Sequence, residues 1–446
     1  MNGAQAPSVA WYAARFDQFE KTLNGASKTA LHALRREGLA RFSSAGFPTT
    51  SEEEWRFTNV APIARIRFVP ALTYRTDGVG PQEVAGLAVE GALRLVFVNG
   101  HFSRDLSVIT DLPRGVKAGS LASLVAGDPT LVERHIGRQV RCDENGFTAL
   151  GTAFLQDGGC VMLEDGVVLD EPVQLLFIGT GRNEPTLGNP RTLIVAGKDA
   201  RLEIIETYAG VGGDEYWTNA VTEAWLGDGA TVEHDKIQIE SSTAFHTATT
   251  HFRLGAGATL TSNSIALGGA LVRNTVTAVL EGRHGECTLN GLSLTTGTQH
   301  IDNHTAIDHA SSECASHELY KTILDGKSRG VFNGKIYVRK DAQKTDAKQT
   351  NKTLLLSDDA TMNTKPQLEI FADDVKCTHG ATVGQLDEDQ VFYLRSRGID
   401  ESAARDLLTF AFASDVIQRV HVDALHAPVA AMVHDRLHQG RGAGGR

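Results

Sequence analysis

One segment recurs along the middle of this chain, and a recurring segment restricts a fold more than composition does. ARLEIIETYAG begins at Ala200, ATVEHDKIQIE at Ala230, ATLTSNSIALG at Ala258, CTLNGLSLTTG at Cys287 and ATMNTKPQLEI at Ala360. The first four each follow a glycine-containing turn (AGKD, LGDG, LGAG, GRHGE), with an early spacing of roughly 28 to 30 residues. The segments are rich in Thr, Val and Ile and alternate in character, which is strand rather than helix patterning. A β-solenoid accounts for this: each coil buries one face of a short strand only when neighbouring coils stack on it. The 45 glycines supply the corners, where positive φ is often needed. A β-sandwich of similar strands and turns is the rival all-β arrangement.

Around the repeat the texture changes twice. Residues 1–90 read as helical and mixed. Within them the segment from Ser27 to Phe42 carries Leu31, Leu34, Leu39 and Phe42 as an approximate apolar stripe. FPTTSEEEWRFTNV follows, with Pro48, Thr49, Thr50 and Ser51 offering a helix start before three glutamates. Residues 91–393 alternate short β-branched runs with turns, as in LRLVFVNG and VQLLFIGTG. Residues 394–446 are helical again. Asp400 caps a helix with Leu407, Leu408, Ala411, Val416 and Val420 on its apolar face, and Pro428 separates it from a second short helix, VAAMVHDRLHQ. The closing GRGAGGR reads as a flexible basic tail.

The balance of 43 basic against 54 acidic residues, a net of −11, opposes a phosphate backbone and argues against nucleic acid as a partner. No run approaches the roughly 18 to 20 apolar residues of a membrane span, and the N-terminal text lacks a secretory pattern, so a cytoplasmic location is expected. The five cysteines, Cys142, Cys160, Cys287, Cys314 and Cys377, are odd in number and widely spaced. Reduced thiols fit this better than a disulfide framework or a four-cysteine zinc site.

Two apparent nucleotide signals fail. Gly326-Lys327-Ser328 ends like a phosphate-binding loop, but Lys321 stands where the loop needs its first glycine. LGAGATL at 254–260 leads into a strand pattern and reads as a turn. With no familiar hydrolytic motif either, the chain is expected not to be an enzyme, and any ATP-derived energy must come from a partner. A β-helix polysaccharide lyase or hydrolase would need a groove of paired carboxylates or basic residues, whereas the acidic residues here are scattered through turns.

Cys377 and His379 are the sharpest chemical candidates. In an extended segment, residues two apart share a face, so thiol and imidazole lie side by side. Together they suit iron or zinc, but they are only two ligands. A buried thiol beside a hydrogen-bonded core histidine is the other account of the pair. A second cluster comprises His300, His304, His309, Cys314 and His317. It matches no single metal spacing, and polar residues facing outward from a strand explain most of it. The polar stretch Gln343, Lys344, Thr345, Asp346, Lys348, Gln349, Asn351 and Lys352 reads as a solvated loop or as a surface for another subunit.

Residues from about 300 to 412 closely resemble the SufB/SufD family of iron–sulfur cluster assembly proteins. The resemblance is carried by DHASSECASHELYKTILDG, VFNGKIYVRKDAQKTDAKQTNKTLLLSDDATMNTKPQLEI, ADDVKCTHGATVGQLDEDQVFYLRSRGI and ARDLLTFAF. FPTTSEEEWRFTNV also looks like an N-terminal signature of the SufD branch, and CTHGATVG stands where SufB proteins typically carry an acidic version. The resemblance implies a mainly β fold, a right-handed parallel β-helix core with helical N- and C-terminal domains. It implies a scaffold role in a complex with a SufB-like paralogue and a SufC-like ABC-type ATPase, and it admits a homodimer for the isolated chain. No cofactor would be tightly bound; iron or a nascent cluster would be held transiently at the paralogue interface by His379 and Cys377. The ATPase contact would map onto Arg405, Leu407, Leu408, Ala411 and Phe412. A purely structural partner of SufB, with Cys377 and His379 merely packed, is the competing role.

Overall fold

The computed structural model describes residues 5–23, 28–181, 184–212 and 215–442. Ten α-helices lie among the described residues: α1 (Gln5–Glu20), α2 (Ala30–Ala45), α3 (Ala61–Arg65), α4 (Pro81–Ala85), α5 (Leu121–Gly127), α6 (Thr130–Arg134), α7 (Gly146–Ala153), α8 (Glu388–Ser396), α9 (Glu401–Ile417) and α10 (Asp423–Gly442). The strands up to the first full coils are β1 (Val69–Pro70), β2 (Leu93–Val98), β3 (His101–Val108), β4 (Val116–Ser120), β5 (Gly159–Leu163), β6 (Val173–Gly179), β7 (Thr186–Gly188) and β8 (Arg191–Ala196). Then come β9 (Arg201–Gly210), β10 (Tyr216–Leu226), β11 (Thr231–Ile239), β12 (Phe245–Leu254), β13 (Thr259–Ala266), β14 (Leu271–Leu280) and β15 (Glu286–Thr295). The series closes with β16 (His300–His309), β17 (Ala315–Leu324), β18 (Arg329–Val338), β19 (Thr345–Leu355), β20 (Thr361–Ile370) and β21 (Val375–Gly384).

From β8 to β21 each strand pairs in parallel with the strand two places on, never with its sequence neighbour. That alternation is the signature of a flattened solenoid with two facing sheets, here of about 7 turns, so the expected β-helix core is borne out. One sheet runs β20-β18-β16-β14-β12-β10-β8-β5-β4 and the other β21-β19-β17-β15-β13-β11-β9-β6-β2-β3. Inward rows fill the space between them. Leu202, Val232, Leu260 and Cys287 stand in one register column, and Ala224, Phe252, Ala278 and Ile307 face them in the opposite sheet. Near the N-terminal end, Phe97, Phe177 and Tyr208 stack in register, with ring centroids 4.8 and 4.9 Å apart.

The recurring segments at Ala200, Ala230 and Ala258 are successive strands of one sheet, β9, β11 and β13, in matching register. Two details differ. Leu260 rather than Ala258 aligns with Cys287, a shift of two that leaves the inward face unchanged. The segment at Ala360 is β20 and belongs to the opposite sheet. Glycine is also not the general corner residue. Positive φ falls at Asp199, Gly229, Gly257, His284, Glu313 and Lys344, where each backbone N–H reaches a carbonyl of the next corner. That coil-to-coil hydrogen bond offsets the left-handed backbone of the four non-glycine residues.

The helices cover opposite faces of the solenoid rather than its two ends. Tyr12, Phe16, Phe42, Phe47, Trp55 and Phe68 bury the outward Trp217, Phe245 and Leu271 of the first sheet. α9 and α10 cover the outward Ile205, Ile237, Ile265, Leu292 and Ile323 of the second with Ala413, Val416, Ile417, Val429 and Val433. Several local expectations are corrected here. α2 starts at Ala30, capped by Thr29, and Ser27 lies outside the described residues. Its buried face is His32, Arg35, Gly38 and Phe42, with Leu31, Leu34 and Leu39 only half-buried. The reason is a close approach: a Cβ on Gly38 would lie 2.7 Å from the Ala153 nitrogen of α7. Helices α5 to α7, capped by Ser120 and Asn145, occupy a stretch read as β-textured. Of the three glutamates only Glu53 and Glu54 enter a helix, the single 3-10 turn Glu53–Trp55, with Glu52 at its N-cap.

At the C-terminal end α8 crosses the expected boundary at 393/394. Pro428 does not interrupt α10, because it removes one early backbone bond while Leu425, Val429, Val433 and Leu437 keep that face packed. The helix runs into the expected tail as far as Gly442, and residues 443–446 lie outside the described residues. No helix among the described residues is long and apolar enough to cross a membrane.

Candidate functional site

The two ends of the solenoid are finished differently. Antiparallel strands β3 and β4 close the first coils, but β20 and β21 end the stack with an outer backbone edge that no described strand pairs. Unpaired N–H and C=O groups on long edge strands are a template for another chain. β20 carries Pro366, which an edge strand tolerates; β21, VKCTHGATVG, has no charged residue after Lys376. Ile370, Phe371 and Val383 expose large apolar side chains at this same end.

Both candidate ligands lie on that last strand. Cys377 pairs with Ala347 and His379 with Gln349, and those partners are buried on the inward row of β19. Strand alternation therefore puts Cys377 and His379 on the inward row of the terminal coil. No further coil covers them, so Cys377 is half-buried and His379 is exposed. Cys377 packs beside Val338, Ala342, Ala347 and Ala372, and burial pushes its thiol pKa up. Among the described residues no group of three or more His, Cys, Asp or Glu is arranged to hold a metal ion.

The polar stretch before Leu354 is neither a loop nor wholly a surface. Gln343 and Lys344 form the turn before β19, and the rest is β19 itself, whose Thr345, Gln349, Asn351 and Thr353 face inward while Lys348 and Lys352 face solvent. The lumen is polar here. Gln349 Nε2 donates to Glu318 Oε2 at 2.7 Å, and Thr364 Oγ1 donates to Asn351 Oδ1 at 3.2 Å. Burial pushes the Glu318 carboxyl up to about 7.

The histidine cluster is dispersed rather than gathered. His309 points inward to the Ser316 hydroxyl at 2.9 Å, and burial lowers its pKa to about 4. Cys314 is buried and its Sγ donates to the Gly282 carbonyl; His317 is exposed. His300 and His304 do face outward, but residues 54–58 cover them, which sequence alternation alone does not reveal. There Asp302 takes Arg273 Nη1 at 2.5 Å, the Thr58 hydroxyl, and His304 Nε2 at 3.1 Å. His304 Nδ1 reaches Glu54 Oε2 at 3.2 Å, and Arg273 stacks over Trp55 at 4.2 Å. Since the Thr58 proton is spent on Asp302, His300 Nε2 donates to Thr58 Oγ1 at 2.9 Å. Burial opposes charge on His304, but Asp302 and Glu54 outweigh it and hold its pKa above the ordinary 6.5. Burial likewise opposes ionisation of Asp302, yet Arg273 and His304 hold its carboxyl well below the ordinary range. A cleft of about 750 Å³ lies between this clip and edge strand β20, where Lys365 pairs with Glu53 at 2.5 Å.

The residues expected to form one apolar face of α9 differ in their surroundings. Leu407 and Ala411 are exposed and Leu408 is half-buried, whereas Val416 and Val420 are buried against the second sheet. Arg405 bridges α8 and α9 through Glu388 at 2.7 Å. Phe412 is half-buried under Lys321, whose Nζ donates to the Phe412 carbonyl at 3.0 Å and meets Asp415 at 2.8 Å. Phe392 and Tyr393 of α8, 70% and 57% exposed, stand out beside Leu407 at 50%. Sequence reading missed both because VFYLRS was counted with the β-textured region; Asp387, which caps α8, was the available signal. Gly257 proves to be a solenoid corner, as its reading as a turn implied, and so does Gly326.

Fold and site define a parallel β-solenoid flanked by terminal helices and left open at its last coil. Residues 177–412 match the family described as SUF system FeS cluster assembly, SufBD core domain, and residues 7–175 match the SufBD protein N-terminal region. The chain belongs to the SufBD family of iron–sulfur cluster assembly proteins. It is 33% identical over 426 residues to a SufBD family protein of Synechocystis, covering 94% of each chain. It is 31% identical over 405 residues to the iron–sulfur cluster assembly protein SufD of Escherichia coli, covering 90% of this chain and 92% of that one. The chloroplastic protein ABCI7 of Arabidopsis thaliana is 30% identical over 402 residues, 88% and 83% of the two chains.

Proposed function

We propose that this chain is a SufD-type, non-enzymatic scaffold subunit that binds a SufB-like paralogue through the edges of β20 and β21. One observation carries the reading: the last coil is left open, and its inward row presents His379 and Cys377 where a second solenoid would complete the stack. A partner strand added to either edge extends the sheet by main-chain hydrogen bonds, and the exposed Ile370, Phe371 and Val383 add apolar area. The same edges serve a homodimer when the paralogue is absent.

His379 supplies an imidazole to iron arriving as substrate, and the paralogue supplies the remaining ligands and the sulfur. A single donor offered at a subunit boundary suits a cluster that is built and then released. A specific observation favours a packing role for Cys377: it is half-buried among alanines and Val338, and its raised pKa keeps the thiol protonated. A SufC-like ATPase docks on Phe392, Tyr393 and Leu407, beside the Arg405–Glu388 bridge, and its ATP-driven movement acts on the solenoid through α9. All five cysteines are free, in keeping with assembly in the cytoplasm. The test is anaerobic reconstitution of the three-protein complex with Fe2+ and a sulfur donor. His379→Ala is expected to abolish most cluster absorbance while the complex still co-purifies; cluster formation at the wild-type rate refutes the ligand role.

A further inference from the structure

Behind His379 the lumen holds an amide in a fixed position with an unused acceptor. Strand register sets Glu318, Gln349 and His379 side by side on the inward rows of β17, β19 and β21. Glu318 and Gln349 are 4% and 1% exposed. The Gln349 amide is held on one side and given room on the other. Its Nε2 donates to Glu318 Oε2 at 2.7 Å, and across the lumen Gly334 leaves it room, since a Cβ there would lie 2.4 Å from that nitrogen. With the nitrogen committed, Gln349 Oε1 is buried and has no hydrogen-bond partner. An orphaned buried acceptor is costly. It sits on the strand next to that of an exposed imidazole, and neighbouring strands lie about 4.8 Å apart. Metal-ligating histidines almost always donate their second ring N–H to such a carbonyl or carboxylate oxygen, which fixes both tautomer and ring orientation.

We propose that Gln349, oriented by Glu318, is the positioning residue for His379: its Oε1 accepts the N–H of one ring nitrogen and turns the other toward iron at the open end. The inference rests on the reading of His379 as an iron donor. It explains why polar residues fill the lumen behind the last coil, where an apolar column would pack equally well. It also assigns the glycine at 334 the task of leaving space for the amide.

The test measures Fe2+ affinity, by equilibrium dialysis, of the complex with the paralogue and ATPase for wild type, His379→Ala, Gln349→Leu, Gln349→Glu and the Leu/Ala double variant. Gln349→Leu is expected to weaken Fe2+ binding roughly 10- to 100-fold, while Gln349→Glu, which keeps an acceptor but loses the bond to Glu318, restores part of it. In the His379→Ala background Gln349→Leu should add nothing. Glu318→Leu, which removes the acceptor of Gln349 Nε2 and so frees the amide without removing it, should give a smaller loss in the same direction and serves as the variant if Gln349→Leu does not fold. Wild-type affinity for Gln349→Leu or Glu318→Leu beside a weakened His379→Ala overturns the positioning role alone. So does a further loss when Gln349→Leu is added to His379→Ala. Wild-type affinity for His379→Ala overturns the ligand reading first, and the positioning role with it.

Discussion

Replacing Asp302 by Ala removes the centre of the clip that fastens residues 54–58 to the solenoid. The carboxylate faces Arg273 at 2.5 Å and His304 at 3.1 Å and accepts the Thr58 hydroxyl. Deleting one member of a buried charge pair leaves its partners uncompensated, at about 3–5 kcal/mol. His304 relieves part of this by releasing its proton, since Asp302 is the main attraction holding its pKa above 6.5. Arg273 cannot, so the lower end, about 3 kcal/mol, is expected, or roughly a hundredfold in local opening. Hydrogen exchange of a peptide spanning residues 49–60 reads this directly, because the Trp55 and Thr58 amides are bonded only within the segment, to Glu52 and Trp55. A peptide from β13, remote from the clip, is the internal control. The wild-type clip should loosen as pH falls through the depressed Asp302 value, and again as pH rises through the raised His304 value. A rise in exchange below about tenfold, or an equal rise in β13, would falsify the claim that this network fastens the segment.

Three other perturbations separate the surfaces. Glu318 is raised from 4.5 to about 7, so the folded state holds its proton more tightly than the unfolded state does. Stability from this group is complete below pH 4.5 and is lost by about 3 kcal/mol as pH rises to 7; chemical denaturation of Glu318→Gln should show a flatter pH profile. Val383→Asp with Phe371→Asp puts charge on the open edge and should weaken paralogue binding by at least about tenfold while leaving thermal unfolding unchanged; intact co-purification would argue against that interface. Phe392→Asp with Leu407→Asp should abolish ATPase binding but not paralogue binding, as read by size-exclusion chromatography of the mixed proteins.

How much of this was legible follows from what a solenoid demands of its sequence. Register stacking requires similar residues at similar offsets, so Ala200, Ala230 and Ala258 announced successive coils. Where chemistry differs between coils, as from Ala258 to Cys287, the alignment slipped by two, an error that parity conceals. Ala360 was misplaced because strands of both sheets obey the same alternation. The polar lumen was not legible at all: Gln349 and Asn351 alternate with Lys348 and Lys352, and a pattern polar on both faces does not say which face is inside. His304 was likewise read as solvated, since the segment covering it lies 250 residues away in the chain. Cys377 and His379 were found correctly as neighbours on one face of a strand, but only the strand order revealed that this face belongs to an open last coil.

The most direct measurement of the central claim labels only this chain with 15N-histidine and assembles it with unlabelled paralogue and ATPase partners. The complex is loaded anaerobically with a cluster, reduced, and examined by pulsed electron paramagnetic resonance. The account predicts a 15N coupling to the cluster that disappears in His379→Ala. A reduced cluster with no coupling to any 15N of this chain would contradict it.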